Sequence, residues 1–201
     1  MTTLNWPNRM TVVRIALIAP FVVCLLSLGD PRWSDTARRA ALGIFAVMAV
    51  TDGLDGFLAR RLRCETPLGR FLDPIADKLL VLCAVVLLAH ETTSVPDCIL
   101  PGFVLVAAIG KDLLVVVGFC IVYIITSRAC ICPRRLGKLC TTAQLAMVVA
   151  VLLRPDLPPL LRWLPAVCWW IATGLAIAAA VDYFRFGQRF VAAAIQTQTT
   201  T

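Results

Sequence analysis

Six long apolar runs, separated by short polar segments, are the feature that most constrains the fold of this chain. The 201 residues are 60% hydrophobic, whereas a soluble domain has roughly 45–50% apolar residues. A run of about 20 apolar residues is long enough to cross a bilayer as one helix. We therefore predict an all-α polytopic membrane protein with six transmembrane helices, formed by a single domain over residues 1–201.

The limits of the predicted helices follow from the local sequence. Thr66 suits a helix cap and Pro67 suits the first helical position, so a new helix is expected to begin there. Residues 1–10 are predicted to form an interfacial segment, and the Gln/Thr-rich residues 196–201 a disordered tail. The six helices are predicted over about 11–28, 37–63, 67–89, 99–126, 136–153 and 164–186.

The distribution of Lys and Arg predicts the orientation in the membrane. Six spans place both termini on one side, and the segments on that side contain more Lys and Arg than the opposite segments. Both termini are therefore predicted to be cytoplasmic, in a bacterial cytoplasmic (inner) membrane or the inner membrane of an organelle. The net charge of +7 reflects arginines that flank the membrane, and no nucleic-acid partner is expected.

Four aspartates between residues 52 and 77 interrupt the apolar pattern. On a helix with about 100° per residue, the acidic and small residues in each half of this stretch fall on one face. They are Asp52, Asp55, Gly56 and Ala59 in the second predicted helix, and Gly69, Asp73 and Asp77 in the third. Two neighbouring helices are thus predicted to bring two aspartates each to a common place.

A role in metal binding explains why a membrane protein keeps these aspartates. An acidic residue inside a membrane helix costs roughly 2.5–3.5 kcal/mol, and neighbouring carboxylates repel one another or take up protons. Divalent cations remove both problems, and hard ions such as Mg²⁺ prefer carboxylate oxygens. The stretch therefore predicts a metal site that binds phosphates. The alternative is a helix hairpin with water-facing aspartates, which requires every spacing to arise by chance.

The same stretch has the pattern D-x-x-D-G-x-x-A-R-x8-G-x3-D-x3-D, which resembles the signature of the CDP-alcohol phosphatidyltransferases. The matching residues are Asp52, Asp55, Gly56, Ala59, Arg60, Gly69, Asp73 and Asp77. The resemblance implies a six-helix membrane enzyme that transfers a phosphatidyl group from CDP-diacylglycerol to an alcohol and releases CMP. It also implies a homodimer among membrane lipids. Independently of the resemblance, the predicted orientation places the aspartates near the cytoplasmic face, so the active site is expected to face the cytoplasm.

The resemblance implies a role for each residue of the signature. Two divalent ions, Mg²⁺ or Mn²⁺, would be held by Asp52, Asp55, Asp73 and Asp77. Asp77 would also act as the catalytic general base, which takes the proton of the acceptor hydroxyl. The CDP moiety would be bound by Asp55, Gly56, Ala59, Arg60 and Gly69, with the Arg60 guanidinium on the donor phosphates.

A second segment bears on the acceptor alcohol. Its pattern G-K-x-x-T-x-x-Q, from Gly137 to Gln144, resembles members of the family whose acceptor is glycerol 3-phosphate. The acceptor would then be bound by Lys138, Arg134 and Lys111. Alternatively, the first two of these cations obey only the positive-inside rule, and Lys111 forms an ion pair with Asp112.

Two other functions stay open at this stage. One is a different acceptor, above all phosphatidylglycerol, as in CDP-dependent cardiolipin synthases. The pair Lys111-Asp112 counts against glycerol 3-phosphate, because the members that use this acceptor usually have Arg-Glu at this place, and the cardiolipin synthases share most of the other features. The other is a non-enzymatic cation or lipid transporter that uses the aspartates as an ion site.

Overall fold

A computed structural model of the protein describes the backbone of residues 6–62, 67–126 and 135–199. Side chains are described for residues 13–51, 76, 78–118, 120, 136–185 and 187–188. Within these ranges the chain forms α1 (Trp6–Leu26), α2 (Ser34–Leu62), α3 (Pro67–Leu88), α4 (Gly102–Thr126), α5 (Arg135–Leu153) and α6 (Leu164–Thr199). Short 3₁₀ turns occupy Ser27–Gly29, Arg154–Asp156 and Pro159–Leu161, and the described residues contain no strand. The predicted all-α fold class is confirmed for this part of the chain.

Three helix ends differ from those predicted. The first helix already includes Trp6, the first residue that the structure describes, whereas we expected it from about residue 11. The fourth begins only at Gly102, since the Leu100 amide donates a hydrogen bond to the Leu88 carbonyl (3.0 Å) and keeps this segment on the end of α3. The sixth continues to Thr199. It therefore includes most of the residues 196–201 that we expected to be disordered.

The described residues fall into two compact units. The first comprises Met1–Leu100 and Val148–Arg162 and contains α1, α2 and α3. In this unit α1 packs against both α2 and α3. The rings of Phe21 in α1 and Phe45 in α2 lie 6.0 Å apart in its core. The two helices that carry the acidic signature thus share a common neighbour.

The second unit comprises Pro101–Met147 and Trp163–Thr201. Its main packing is between α4 and α6, where the rings of Phe103 and Trp170 lie 5.0 Å apart. The helix α5 contributes its first part to this unit and its last part to the other. The single domain over residues 1–201 stays a prediction.

Two helical segments of the described chain have the length and apolar composition that a bilayer requires. In the described part of the chain, two segments are apolar enough and long enough to cross a membrane, Leu136–Asp156 and Pro159–Arg185. Large apolar side chains are exposed to the surroundings, with Trp170 64% exposed, as expected for helices in contact with lipid. The full set of six spans and the cytoplasmic termini stay predictions.

A buried arginine ties the beginning of α2 to the end of α5. The Arg38 side chain is only 2% exposed, and its guanidinium donates two hydrogen bonds to the Asp156 carboxylate, at 2.5 and 3.0 Å. It also donates to the Leu152 carbonyl at 3.0 Å. These bonds lower the pKa of Asp156 below the ordinary value of a carboxyl group. A bidentate pair of this kind fixes both distance and orientation between the two elements.

The connections α1–α2 and α3–α4 approach each other closely at Gly29. A Cβ atom at this position would lie 2.0 Å from the carbonyl oxygen of Thr92. A backbone oxygen cannot move aside as a flexible side chain can. The approach therefore requires glycine.

The Gly29 contact leads to a first prediction. Gly29→Ala is expected to lower the free energy of unfolding by about 1–3 kcal/mol, because the added methyl group forces two backbone segments apart. The matched control is Gly43→Ala in α2, where a Cβ would meet nothing within 4 Å. That change is expected to be neutral or to stabilise by up to about 1 kcal/mol, because alanine favours helix. Thermal unfolding of the two purified variants in detergent measures both changes in stability. Equal changes in Gly29→Ala and Gly43→Ala would contradict the close approach of Gly29 to the Thr92 carbonyl.

The Arg38–Asp156 pair leads to a second prediction. Asp156→Asn is expected to lower the unfolding temperature at neutral pH by about 2–6 °C. Because the folded-state pKa of Asp156 is lowered, its contribution is fully present above the unfolded-state pKa and is lost as the pH falls through the folded-state pKa. The difference between wild type and variant should therefore stay constant from neutral pH down to about pH 5, and should narrow as the pH falls below about 4.

The control for this prediction is Asp35→Asn. Asp35 lies 3.4 Å from the same guanidinium, but its side chain is largely exposed. An exposed pair contributes little, so this variant should stay close to wild type at every pH. A difference between wild type and Asp156→Asn that persists at acid pH would count against the pair.

Candidate active site

The signature residues lie across the junction of α2 and α3. The second helix carries Asp52, Asp55, Gly56, Ala59 and Arg60 close to its end at Leu62, and the third carries Gly69, Asp73 and Asp77 close to its beginning at Pro67. The backbone at all eight positions is helical, as the spacing required. Two helices therefore each supply a pair of aspartates, one pair near a helix end and the other near a helix start.

The side chains of these eight residues lie outside the described part of the structure. The metal ligands Asp52, Asp55, Asp73 and Asp77, and the role of Asp77 as general base, therefore stay predictions. Among the side chains that are described, no group of three or more His, Cys, Asp or Glu is placed to hold a metal ion. The described residues thus offer no second metal centre to compete with the predicted one.

A buried cation lies on the helix that packs against the two helices carrying the signature. Arg14 in α1 is 3% exposed, and α1 contacts α2 and α3. In the sequence this arginine was counted only among the membrane-flanking residues. The missed signal was its place inside an apolar run, since a charged residue within a membrane helix is costly and commonly marks a functional position.

The first turns of α5 contain the second predicted segment. Lys138 is exposed, whereas Gln144, two turns further on, is only 3% exposed. The hydroxyl of Thr141 donates a hydrogen bond to the Gly137 carbonyl (3.1 Å) and is thereby turned back onto its own helix. Lys138 is therefore accessible to a ligand, and Gln144 belongs to the packed face. Arg134 lies outside the described residues.

The only lysine in α4 forms an ion pair with its neighbour in the sequence. The Lys111 ammonium lies 3.1 Å from the Asp112 carboxylate, and the lysine side chain is 7% exposed. Such pairing offsets the cost of a charge in an apolar helix. The ion pair was one of two interpretations that the sequence left open, and the structure contains it. Whether Lys111 also binds the acceptor stays a prediction.

The fold and the signature together define a class of protein. An all-α chain with long apolar helices, and with paired aspartates across the junction of two of them, is typical of a membrane-associated transferase for phosphate-linked substrates. The family described as CDP-alcohol phosphatidyltransferase matches residues 4–184. The chain therefore belongs to the CDP-alcohol phosphatidyltransferase family and is a phosphatidyltransferase of phospholipid biosynthesis. The family is generally dependent on divalent metal ions.

Relatives cover most of the chain. It is 36% identical over 177 residues to a CDP-diacylglycerol–glycerol-3-phosphate 3-phosphatidyltransferase of Pseudomonas fluorescens, covering 86% of this chain and 80% of the relative. It is 32% identical over 191 residues to the enzyme of that name from Bacillus subtilis, covering 90% and 93%. It is 36% identical over 157 residues to the enzyme of that name from Escherichia coli K12, covering 76% and 79%. The likeness therefore extends well beyond the signature.

Proposed function

We propose that this protein transfers the phosphatidyl group of CDP-diacylglycerol to glycerol 3-phosphate. One observation carries the proposal: the similar proteins from three bacteria share one name, and that name specifies this donor and this acceptor. The complete signature supports the donor, and the Gly137–Gln144 segment supports the acceptor. In the reaction the acceptor oxygen forms a bond to the phosphatidyl phosphorus, the bond from that phosphorus to the bridging oxygen breaks, and CMP leaves.

The donor atoms of the signature fit a pair of hard divalent cations. Four carboxylates supply oxygen ligands, which Mg²⁺ and Mn²⁺ prefer. The residues that would hold two such ions are Asp52, Asp55, Asp73 and Asp77. When bound, the ions would neutralise the pyrophosphate and stabilise the charge that develops on the departing CMP.

The chain itself supplies the proton acceptor and the donor-binding groups. Asp77 takes the proton of the acceptor hydroxyl as that oxygen attacks phosphorus. Arg60 binds the donor phosphates through its planar set of N–H donors. The CDP moiety is further bound by Asp55, Gly56, Ala59 and Gly69. The two glycines and the alanine are small and leave room for it.

In this proposal three cationic residues bind the acceptor. Lys138 is the first of these, because it is a basic residue that is exposed at the beginning of α5. Arg134 and Lys111 would add to it, and Lys111 would have to exchange Asp112 for the ligand. A phosphorylated acceptor such as glycerol 3-phosphate suits these charges better than an uncharged alcohol does.

The setting completes the proposal. The chain would form one domain with six transmembrane helices and both termini in the cytoplasm, in the inner membrane of a bacterium. The acidic residues would then face the cytoplasm, where CDP-linked and phosphorylated substrates are available. The protein would act as a homodimer among membrane lipids.

The proposed function predicts a specific pattern of CMP release. Purified protein with CDP-diacylglycerol and Mg²⁺ should release CMP when glycerol 3-phosphate is added. Asp73→Ala should reduce the rate by at least about 100-fold, because it removes a ligand of the catalytic ions, and should leave the unfolding temperature nearly unchanged. The matched control is Asp35→Ala at the opposite end of α2, which should keep the wild-type rate.

The outcomes separate the alternatives. Release of CMP with phosphatidylglycerol alone would make the protein a CDP-dependent cardiolipin synthase. No release with any alcohol would contradict the enzymatic proposal as a whole. A fully active Asp73→Ala variant would contradict the assignment of Asp73 as a metal ligand. It would not bear on which alcohol is the acceptor.

The role of Lys138 predicts a change in KM alone. Lys138→Ala should raise the KM for glycerol 3-phosphate by about 10-fold, with the KM for CDP-diacylglycerol unchanged, because it removes an interaction with one substrate only. Lys138→Arg should restore most of the affinity, since it keeps the charge. Leu139→Ala, an exposed neighbour on the same turn, is the control. If Lys138→Ala leaves the KM for glycerol 3-phosphate unchanged, Lys138 does not bind the acceptor and is only a membrane-flanking residue.

A further inference from the structure

Gly137, the residue before Lys138, is in close contact with the end of an aromatic side chain of α6. A Cβ atom at this position would lie 3.2 Å from the Tyr183 hydroxyl oxygen, and 3.8 and 4.0 Å from the ring atoms Cε2 and Cζ. No glycine with positive φ occurs in the described backbone, so the requirement at this position is for space and not for an unusual conformation. The hydroxyl is the one atom that a larger residue would press upon.

This contact is specific to one turn of α5. Among the glycines whose surroundings the structure describes, only Gly29 and Gly137 have atoms within 4 Å of an added Cβ. The glycines of α4, and Gly174 and Gly187 of α6, have open space at that place. The contact is therefore not a general result of packing between glycine-containing helices.

The helical register connects this contact with Lys138. With about 100° per residue, Gly137, Cys140 and Gln144 fall on one face, and Lys138 lies about 100° further round the helix than Gly137, outside that face. Cys140 and Gln144 are buried, whereas Lys138 is exposed. Tyr183 therefore contacts the first turn of the packed face, directly beside the exposed lysine.

The peptide of Gly137 is held from two directions. The Thr141 hydroxyl donates to its carbonyl oxygen from within α5, and the half-buried Tyr183 of α6 leaves no free space on the side where a Cβ would stand. Tyr183 thereby limits how far the first turn of α5 can shift or rotate. A rotation of that turn would carry the Lys138 side chain with it, because the two residues are adjacent.

We propose that Tyr183 is a positioning residue for the acceptor: it fixes the first turn of α5 through Gly137 and so directs Lys138 towards the phosphate of glycerol 3-phosphate. This inference rests on the proposed function, because it requires Lys138 to bind the acceptor. It goes further in giving α6 a part in acceptor specificity. Tyr183 itself touches no reacting atom in this proposal.

The distances provide a test in which one substitution rescues another. In Gly137→Ala the new methyl group presses on the Tyr183 hydroxyl at 3.2 Å, and removing that hydroxyl leaves ring atoms at 3.8 Å or more, an ordinary contact. Gly137→Ala should therefore raise the KM for glycerol 3-phosphate by about 10-fold, with kcat and the KM for CDP-diacylglycerol unchanged. The double variant Gly137→Ala/Tyr183→Phe should return to within about 3-fold of wild type.

Two further variants isolate the role of the ring. Tyr183→Phe alone should have a KM close to wild type, because the ring still packs on Gly137. Tyr183→Ala should raise the KM for glycerol 3-phosphate by about 10-fold, because the support of the turn is lost. The controls are Phe184→Ala, the exposed neighbour in the sequence, and Gly174→Ala at an open position of α6. Both controls should keep the wild-type KM.

The unfolding temperature distinguishes positioning from structural support. If Gly137→Ala lowers the unfolding temperature, and Tyr183→Phe restores it, while the KM never changes, then the contact is structural only and the inference is wrong. A Gly137→Ala defect that Tyr183→Phe does not relieve would also overturn it. The wild-type protein tests the proposed function separately. If it releases no CMP when glycerol 3-phosphate is added, the proposed function is wrong, and the inference about Tyr183 is wrong with it.

Discussion

The need to pair charged groups within an apolar chain governs much of this structure. The cost of an isolated charge in such surroundings is several kcal/mol, so a buried cation stays only where protein groups or ligands offset it. Arg38 meets this condition through Asp156 and the Leu152 carbonyl. Lys111 meets it through Asp112. The same rule makes the four aspartates of the signature difficult to explain unless cations lie close to them, either bound metal ions or basic side chains.

These pairs differ in what they connect. The Lys111–Asp112 pair joins two adjacent residues of α4, and so offsets a cost without fixing one helix against another. The Arg38 pair joins residues 118 positions apart in the sequence and fixes the end of α5 to the beginning of α2. Because α2 carries half of the signature at its other end, this pair also constrains the helix that presents Asp52 and Asp55. The same helix thus carries the buried ion pair near its beginning and two of the predicted metal ligands near its end.

The sequence predicted the helices well, because each apolar run ends where polar residues or proline begin. It predicted their limits less well where tertiary contacts or neighbouring residues decided them. Leu100 leaves the predicted fourth helix because its amide bonds to α3. The last part of α6 stays helical behind an Ala-rich run, Ala192–Ala194, whose high helix propensity offsets the weaker propensity of Gln and Thr. The partner of Arg38 could not be predicted, since nothing local to either residue indicates the other.

The candidate site shows the same division between local pattern and tertiary contact. The spacing of the aspartates and glycines in the signature is local, so a single sequence was enough to predict both the family and the eight positions. The two closely packed glycines, Gly29 and Gly137, are not distinguished in the sequence from those with open space around them. What distinguishes them is a Thr92 carbonyl and a Tyr183 hydroxyl from distant parts of the chain. In our proposal the close contact at Gly137 matters for function, because it also holds the turn that carries Lys138.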